Sequence, residues 1–166
     1  MMRADSKSPG VDQSIRIGAP AARVLGAFFD RAALSAWWQT TCSITTARPL
    51  GVYAVEWETT ADADDVLGRL GGVFYGIIAE YRPGRELFVA DAWWLPPDSD
   101  PVGPMSLQIT CTVEGSSCRL RVRQSGFEDS TRWQRYYSVI DAGWRSSLLA
   151  LKRYLERRTE RATDRG

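Results

Sequence analysis

Histidine is absent from the 166 residues of the chain. Its absence removes the usual general base near neutral pH, the usual partner of a serine or cysteine nucleophile, and the histidines of the iron facial triad. The three cysteines, Cys42, Cys111 and Cys118, lack the spacing of metal ligands, so neither a zinc site nor another cofactor is expected. Any catalysis would therefore depend on Asp, Glu, Tyr, Arg or ordered water.

Long apolar runs are also missing, and the charge is nearly balanced. Runs such as Val73–Ala79 fall far short of the roughly 18 residues that a membrane span requires. Residues 1–10 are polar and lack the apolar segment of a signal peptide, so we expect a flexible tail and a cytoplasmic protein. The net charge of +1 gives no reason to expect nucleic acid as a partner. We predict a single domain over residues 11–158, followed by a basic tail at 159–166.

An apolar stripe near the C-terminus predicts a long helix. Large apolar residues recur there at spacings of three and four, which places them on one helical face. They are Trp133, Tyr137, Ile140, Trp144, Leu148, Leu151 and Leu155. A helix of roughly 25 residues is about 38 Å long, so it must lie along something equally long. For Gly143, inside this helix, we favour close packing against a strand over a bend or a gap for a ligand.

Alternating apolar and polar residues predict an antiparallel sheet around that helix. Val11–Ile17 is a strand with one buried face, and two short helices follow it, the second over Ala32–Trp38. In Val52–Thr59 the aromatic residues Tyr53 and Trp57 share the inward face. The order of a strand, two short helices, further strands and a long terminal helix indicates the α+β class.

Two later segments are predicted to add strands, and the buried face is clear for only one of them. The facing of Val73–Tyr81 is ambiguous, although hydrophobicity favours Val73, Tyr75, Ile77, Ala79 and Tyr81 as inward residues. Met105–Val113 and Cys118–Gln124 form a hairpin with a turn at Gly115 and Ser116. Its predicted pairs, all facing the core, are Val113 with Cys118, Cys111 with Leu120, and Ile109 with Val122. The two cysteines of the hairpin are expected to be buried reduced thiols.

The connection Thr60–Gly72 is long and acidic, and it could hold a turn of helix. Loops of this length within a compact domain are often lids or binding loops, although an insertion without a role is an equal alternative.

Five short motifs occur in an order that resembles a known family. They are Ile17–Pro20 before the first helix, Leu34–Trp38, the turn Pro49–Tyr53, Gly76–Glu80 followed by Pro83, and Gly143 and Trp144 with Leu148, Leu151, Tyr154 and Leu155. This set resembles the SRPBCC (START / birch-pollen-allergen) superfamily. The branch it is similar to contains the C-terminal domain of the activator of the ATPase of the ninety-kilodalton heat-shock chaperone, and the resemblance covers about residues 11–158.

The resemblance implies a helix-grip fold, in which a curved seven-stranded antiparallel sheet wraps around the terminal helix. It also implies a cavity between sheet and helix that holds apolar molecules in many members. One fold serves many roles, so the resemblance implies less about function. The chain departs from the branch pattern in the Thr60–Gly72 connection, the Asp91–Trp94 strand and the proline-rich loop that follows.

Aromatic residues are the main candidates for a cavity lining, because they supply contact area and a few polar groups. The candidates are Trp37, Tyr53, Trp57, Tyr75, Trp93, Trp133, Tyr137 and Trp144, together with Ile140 of the helical stripe. The alternative is that they only fill the space between sheet and helix. Glu80 and Asp91 are also candidates, because an inward carboxylate on an apolar strand would need a partner; ordinary alternation instead favours a solvent-facing position.

Three functions follow as hypotheses. The first is non-catalytic binding of a small hydrophobic or aromatic molecule, lipid-like or a metabolite, between the sheet and the terminal helix. The second is a protein-interaction module that resembles the chaperone activator, with the chaperone as a partner. The third is a polyketide cyclase or aromatase, although no acid and base pair stands out in the sequence. Assembly as a homodimer is a further expectation that no single residue establishes.

Overall fold

The computed structural model describes residues 9–164, except the side chains of residues 158–160, 162 and 163. One antiparallel sheet of seven strands packs against a long terminal helix, and two short helices follow the first strand. The strands are β1 (Val11–Ile17), β2 (Cys42–Thr45), β3 (Val52–Trp57), β4 (Ala63–Asp64), β5 (Gly68–Arg69), β6 (Gly72–Arg82), β7 (Glu86–Leu95), β8 (Val102–Glu114) and β9 (Ser117–Ser125). The helices are α1 (Ala21–Gly26), α2 (Arg31–Trp38) and α3 (Thr131–Thr163). The predicted α+β helix-grip fold is confirmed.

The strand order in the sheet is β1-β9-β8-β7-β6-β3-β2, while β4 and β5 form a separate two-stranded ribbon. This ribbon occupies the Thr60–Gly72 connection, so the predicted turn of helix there is wrong. Among the described residues, no helix is both long and apolar enough to cross a membrane. The predicted tail at residues 1–10 lies mostly outside the described residues.

Capping side chains begin two of the helices. Asp30 Oδ2 accepts a hydrogen bond of 2.8 Å from the backbone N–H of Ala33 at the start of α2. Ser130 Oγ accepts one of 3.2 Å from the backbone N–H of Trp133 at the start of α3. Both satisfy backbone donors that have no partner inside the helix.

The apolar stripe of α3 faces the sheet, as predicted. Its members are buried, except that Ile140 is partly exposed. Tyr136 is also buried, so the apolar face is wider than the stripe suggests. The polar side of α3 is tied to β1, because Gln13 Nε2 donates to both the backbone oxygen and Oδ1 of Asp141 at 2.7 Å. With 33 residues, α3 is longer than the predicted helix.

The hairpin of β8 and β9 has the predicted register. Cys111 pairs with Leu120, Ile109 with Val122, and Val113 with Cys118. Five of these six residues are buried, but the prediction for Val113 is wrong, since it is 68% exposed near the turn. The thiols of Cys111 and Cys118 are buried and free, as predicted, and burial raises the pKa of both.

The inward facing predicted for Tyr75, Ile77 and Ala79 of β6 is wrong, whereas Tyr81 is partly buried against the core, as predicted. Phe74, Gly76 and Ile78 are buried, whereas Tyr75 is 39% and Ile77 46% exposed on the outer face. Both faces of this strand are apolar, so hydrophobicity could not distinguish them. The pleat places the alternate set inward.

A bulge reverses the facing of β7 near its middle. Asp91 has a φ of 47°, and the pairing of β7 with β8 shifts between Val89 and Ala92. Because the bulge inserts an extra residue, Ala92 and Trp94 follow Val89 on the buried face. Asp91 is exposed, and Trp93 is only partly buried.

Candidate functional site

A cavity of about 460 Å³ lies between α3 and the sheet. It is bordered by the end of α2, the end of β3, the β4–β5 segment and the middle of α3. The lining residues are Trp38, Gln39, Thr41, Trp57, Glu58, Thr60, Leu67, Leu70, Gly71, Phe74, Trp94, Leu107, Gln124, Tyr136, Val139, Ile140, Gly143, Trp144 and Ser147. Most of these side chains are apolar or aromatic, so the lining suits an apolar molecule.

Trp38 is the centre of one aromatic wall. It stacks on Trp37 with ring centroids 4.9 Å apart and an angle of 6° between the planes. Its ring also lies 5.0 Å from Trp57 and 5.1 Å from Trp144. The end of α2, the end of β3 and the middle of α3 therefore meet through indole rings at the cavity.

Trp94 and Tyr136 form a second aromatic wall, with ring centroids 5.5 Å apart and planes inclined by 29°. Trp94 reaches this position because the bulge at Asp91 turns it inward. Its indole N–H donates to the backbone oxygen of Gly71 at 2.8 Å, which joins β7 to the end of the β4–β5 segment.

A buried polar cluster also borders the cavity, and we call it the Gln124 cluster: Gln124, Tyr136, Trp144 and Met105. Gln124 is 3% exposed. Its Oε1 accepts a hydrogen bond from Trp144 Nε1 at 2.9 Å, and its Nε2 donates to Tyr136 Oη at 2.8 Å. Nε2 also donates to Met105 Sδ, to which the Tyr136 hydroxyl donates as well. Burial raises the pKa of the Tyr136 phenol, so the hydroxyl stays protonated.

The β4–β5 segment, residues 60–71, closes one side of the cavity. Leu67, which is fully buried, and Leu70 supply its apolar contribution to the lining. The segment is held to α3 by the ion pair of Asp64 with Arg135, at 2.6 Å. It is held to the loop after β7 by Arg69, which donates to both carboxylate oxygens of Asp98.

Asp64 is the most strongly held carboxylate of this segment. Its oxygens accept hydrogen bonds from the Arg135 guanidinium and from the backbone N–H groups of Leu67 and Val66. These contacts, with that of Arg135 the largest, lower the pKa of Asp64 to about 2. The ion pair is therefore intact throughout the neutral range.

Three predicted site residues line the cavity: Trp57, Ile140 and Trp144. Trp37 and Tyr53 are buried beside it in the core, where their polar atoms donate to the backbone oxygens of Ala27 and Phe28. Trp133 and Tyr137 are buried at the start of α3, outside the lining residues.

The remaining candidates lie away from the cavity. Tyr75 is on the outer face of β6, and Trp93 is not a lining residue. The Glu80 side chain is 44% exposed and pairs with Arg82. Asp91 is exposed, and its Oδ1 accepts a hydrogen bond from Trp93 Nε1. The solvent-facing alternative for the two carboxylates is thus the one found.

Four lining residues are direct neighbours of predicted ones. They are Trp38, Phe74, Trp94 and Tyr136, next to Trp37, Tyr75, Trp93 and Tyr137. In each of these segments the residue that lines the cavity is one position away from the predicted residue. On a strand, one position is the difference between the two faces.

Gln124 and Leu67 were missed altogether, although each had a signal in the sequence. Gln124 follows Val122 at the next inward position of the hairpin, where a polar residue is unusual. Leu67 is an apolar residue inside an acidic connection. The interpretation of Gly143 was wrong, because a Cβ at this position would meet no atom within 4 Å and the residue lines the cavity.

No group of three or more Cys, Asp or Glu side chains in the described part of the chain could hold a metal ion. No curated protein matches the sequence significantly. Solved structures do resemble it. Protein CV1439 from Chromobacterium violaceum is 24% identical, with a TM-score of 0.64 over 89% of this chain and 97% of that one. Protein MLL2253 from Mesorhizobium loti is 20% identical, with a TM-score of 0.67 over the same shares.

The third structure is a solution structure described as the Aha1 dimer from Colwellia psychrerythraea. It is 16% identical, with a TM-score of 0.61 over 89% of this chain and 96% of that one. These likenesses support the fold, which is that of the SRPBCC superfamily, as the sequence motifs indicate. A family model covers residues 18–156, from the end of β1 to the last buried turns of α3. The chain therefore belongs to the family described as Activator of Hsp90 ATPase homolog 1-like protein.

Proposed function

We propose that the protein binds a small hydrophobic or aromatic molecule, without transforming it, in the cavity between the sheet and α3. The observation that supports this proposal is the cavity of about 460 Å³ with two aromatic walls. Ligand pockets usually have volumes of about 300–1,000 Å³, mostly apolar linings and a few convergent polar groups. The volume of this cavity lies in that range, and its lining is mostly apolar with a few polar groups.

The small number of titratable groups at the site favours binding without catalysis. Among the described lining residues these are the carboxyl group of Glu58, which is exposed, and the buried phenol of Tyr136. A cyclase or aromatase would need an acid and a base within hydrogen-bond reach of one substrate. A binding protein needs neither.

Tryptophan fluorescence provides the test, since four of the lining residues are tryptophans. Titration with a panel of lipids and aromatic metabolites should produce a saturable change, and native mass spectrometry of gently purified protein should detect a carried molecule. The variant Ile140→Phe narrows the cavity and should weaken binding by tenfold or more, while Leu149→Phe, on the exposed side of α3, should not. A flat response to the whole panel would refute the proposal.

Self-association is a second candidate, favoured by an exposed apolar area that we call the outer patch: Ile44, Val52, Tyr75 and Ile77. These residues are 39% to 60% exposed on the outer face of the sheet. Val52 is paired with Ile77, and both Tyr75 and Ile44 are paired with Ala54, so the patch is continuous across β2, β3 and β6. We infer that its occupant is a second copy of the chain, because the Colwellia protein of this fold is described as a dimer.

Sedimentation or light scattering tests this second candidate. Wild-type protein should have the mass of a dimer, and Ile77→Glu should have the mass of a monomer. Val113→Glu is the control, because Val113 is also an exposed apolar residue, near the β8–β9 turn and outside the outer patch. A monomeric wild-type protein would exclude a dimer at this face.

Activation of the Hsp90 chaperone and a cytoplasmic location both stay predictions. The first is tested by the ATPase rate of the chaperone with and without the protein, and an unchanged rate would contradict it. The free buried thiols of Cys111 and Cys118 suit a reducing compartment, which supports the second.

A further inference from the structure

We propose that the cavity selects an uncharged, flat aromatic molecule that donates a hydrogen bond to Gln124 Oε1, and that it rejects carboxylates. This inference rests on the proposed binding function and names the chemical class of its ligand.

Three of the four indole donors of the lining are already used. The indole N–H groups of Trp57, Trp94 and Trp144 donate to the Trp38 backbone oxygen, the Gly71 backbone oxygen and Gln124 Oε1. Among the described residues, every buried side-chain nitrogen and oxygen has a hydrogen-bond partner. A ligand therefore meets the faces of these three rings rather than their N–H groups.

The hydrogen bond from Trp144 fixes the orientation of the Gln124 amide. An indole nitrogen can only donate, so the amide atom next to Trp144 Nε1 must be the oxygen. The NH₂ group then faces Tyr136 Oη and Met105 Sδ, and both of its hydrogens are used. A carbonyl oxygen has two lone pairs, so Oε1 can accept one bond more than the bond from Trp144.

The charges of the lining disfavour an anionic ligand. The described residues of the lining include no lysine or arginine, and the one charged side chain is the acidic Glu58. A carboxylate that entered would lose its water without gaining a cation, and burying a charge in this way is strongly unfavourable. Transfer of a phenol or an aromatic N–H group from water into the cavity costs little free energy, because Gln124 Oε1 can accept its hydrogen.

The shape of the site favours flat rings. Trp38, Trp57 and Trp144 are on one wall and Trp94 and Tyr136 on the other, and aromatic surfaces prefer stacked or edge-on contacts with other rings. A flexible acyl chain could fill the same volume, but it would lose rotational freedom without those contacts.

Three pyrene derivatives test the proposal by isothermal titration calorimetry on the full chain. They are 1-hydroxypyrene, which can donate, 1-methoxypyrene, which cannot, and 1-pyrenecarboxylate, which is anionic. We expect hydroxypyrene to bind up to about tenfold more tightly than methoxypyrene, the usual value of one hydrogen bond, and the carboxylate to bind at least 100-fold more weakly than hydroxypyrene, the scale of an unpaired buried charge.

The variant Gln124→Met removes the acceptor and should abolish the preference for hydroxypyrene over methoxypyrene. Ser147→Ala, a change elsewhere in the lining, should keep the preference. If Gln124→Met does not fold, the comparison of hydroxypyrene with methoxypyrene on the wild-type protein still tests the proposal.

The outcomes separate this inference from the proposed function. Equal binding of hydroxypyrene and methoxypyrene to wild-type protein, or tight binding of the carboxylate, would overturn the inference while leaving a binding cavity. If none of the three pyrenes binds and the lipid panel also fails, the proposed function fails and the inference fails with it.

Discussion

Gly143 lines the cavity from the middle of α3, where glycine is unfavourable for a helix. An added Cβ would meet no atom within 4 Å. Gly143→Ala should therefore raise the free energy of unfolding by up to about 1 kcal/mol, measured by urea denaturation.

Gly76→Ala is the matched control for this prediction. Its Cβ would lie 2.5 Å from Val89 Cγ1 and 3.0 Å from the Ala90 backbone oxygen, so the substitution should destabilise the protein. A Gly143→Ala variant less stable than wild type would show that helix propensity does not decide stability at this position.

At the scale of elements, the β4–β5 segment is the wall of the cavity that depends on a few polar contacts. Removal of the Asp64–Arg135 ion pair by Arg135→Ala should accelerate ligand dissociation by up to about fivefold, since an ion pair with a half-exposed arginine rarely contributes more. Stopped-flow fluorescence measures the rate. Arg121→Ala removes an ion pair with a similarly exposed arginine, formed with Asp12 on β1, and should leave the rate unchanged.

Acid should loosen the same segment. Asp64 has a pKa of about 2 in the folded protein and 3.8 as its ordinary value. Because the folded value is depressed, the stabilisation by Asp64 is fully present above about 3.8 and is lost as the pH falls through about 2. The rate of amide hydrogen exchange of residues 60–71 should therefore rise as the pH falls through this window. In an Asp64→Asn variant, which cannot be protonated at this position, that rise should be missing.

At the scale of the whole molecule, the contact between α3 and the sheet holds the fold together. Leu151 is 0% exposed in this contact, whereas Leu149 on the same helix is 45% exposed. Leu151→Ala should lower the free energy of unfolding by about 2–5 kcal/mol, measured by chemical denaturation. Leu149→Ala should change it by less than about 1 kcal/mol, and equal effects would contradict the packing described.

Much of the fold was predictable because it depends on local periodicity. The stripe of α3, the facing of β3 and the pairing of Cys111 with Leu120 all follow from the repeat of a helix or a strand. The candidate site was less predictable. Of its predicted residues, Trp57, Ile140 and Trp144 line the cavity, whereas Tyr53, Trp133 and Tyr137 lie on the same elements but outside the lining.

The sequence alone determined the α+β class, the long terminal helix and the β8–β9 register, since side-chain period follows from the geometry of the backbone. Only the tertiary structure decided that Trp94 rather than Trp93 faces the cavity, because the bulge at Asp91 interrupts that period. It also brought Gln124, Tyr136 and Trp144 together, since their hydrogen bonds join β9 to α3. Contacts between elements that are distant in the chain leave no periodic trace in its sequence.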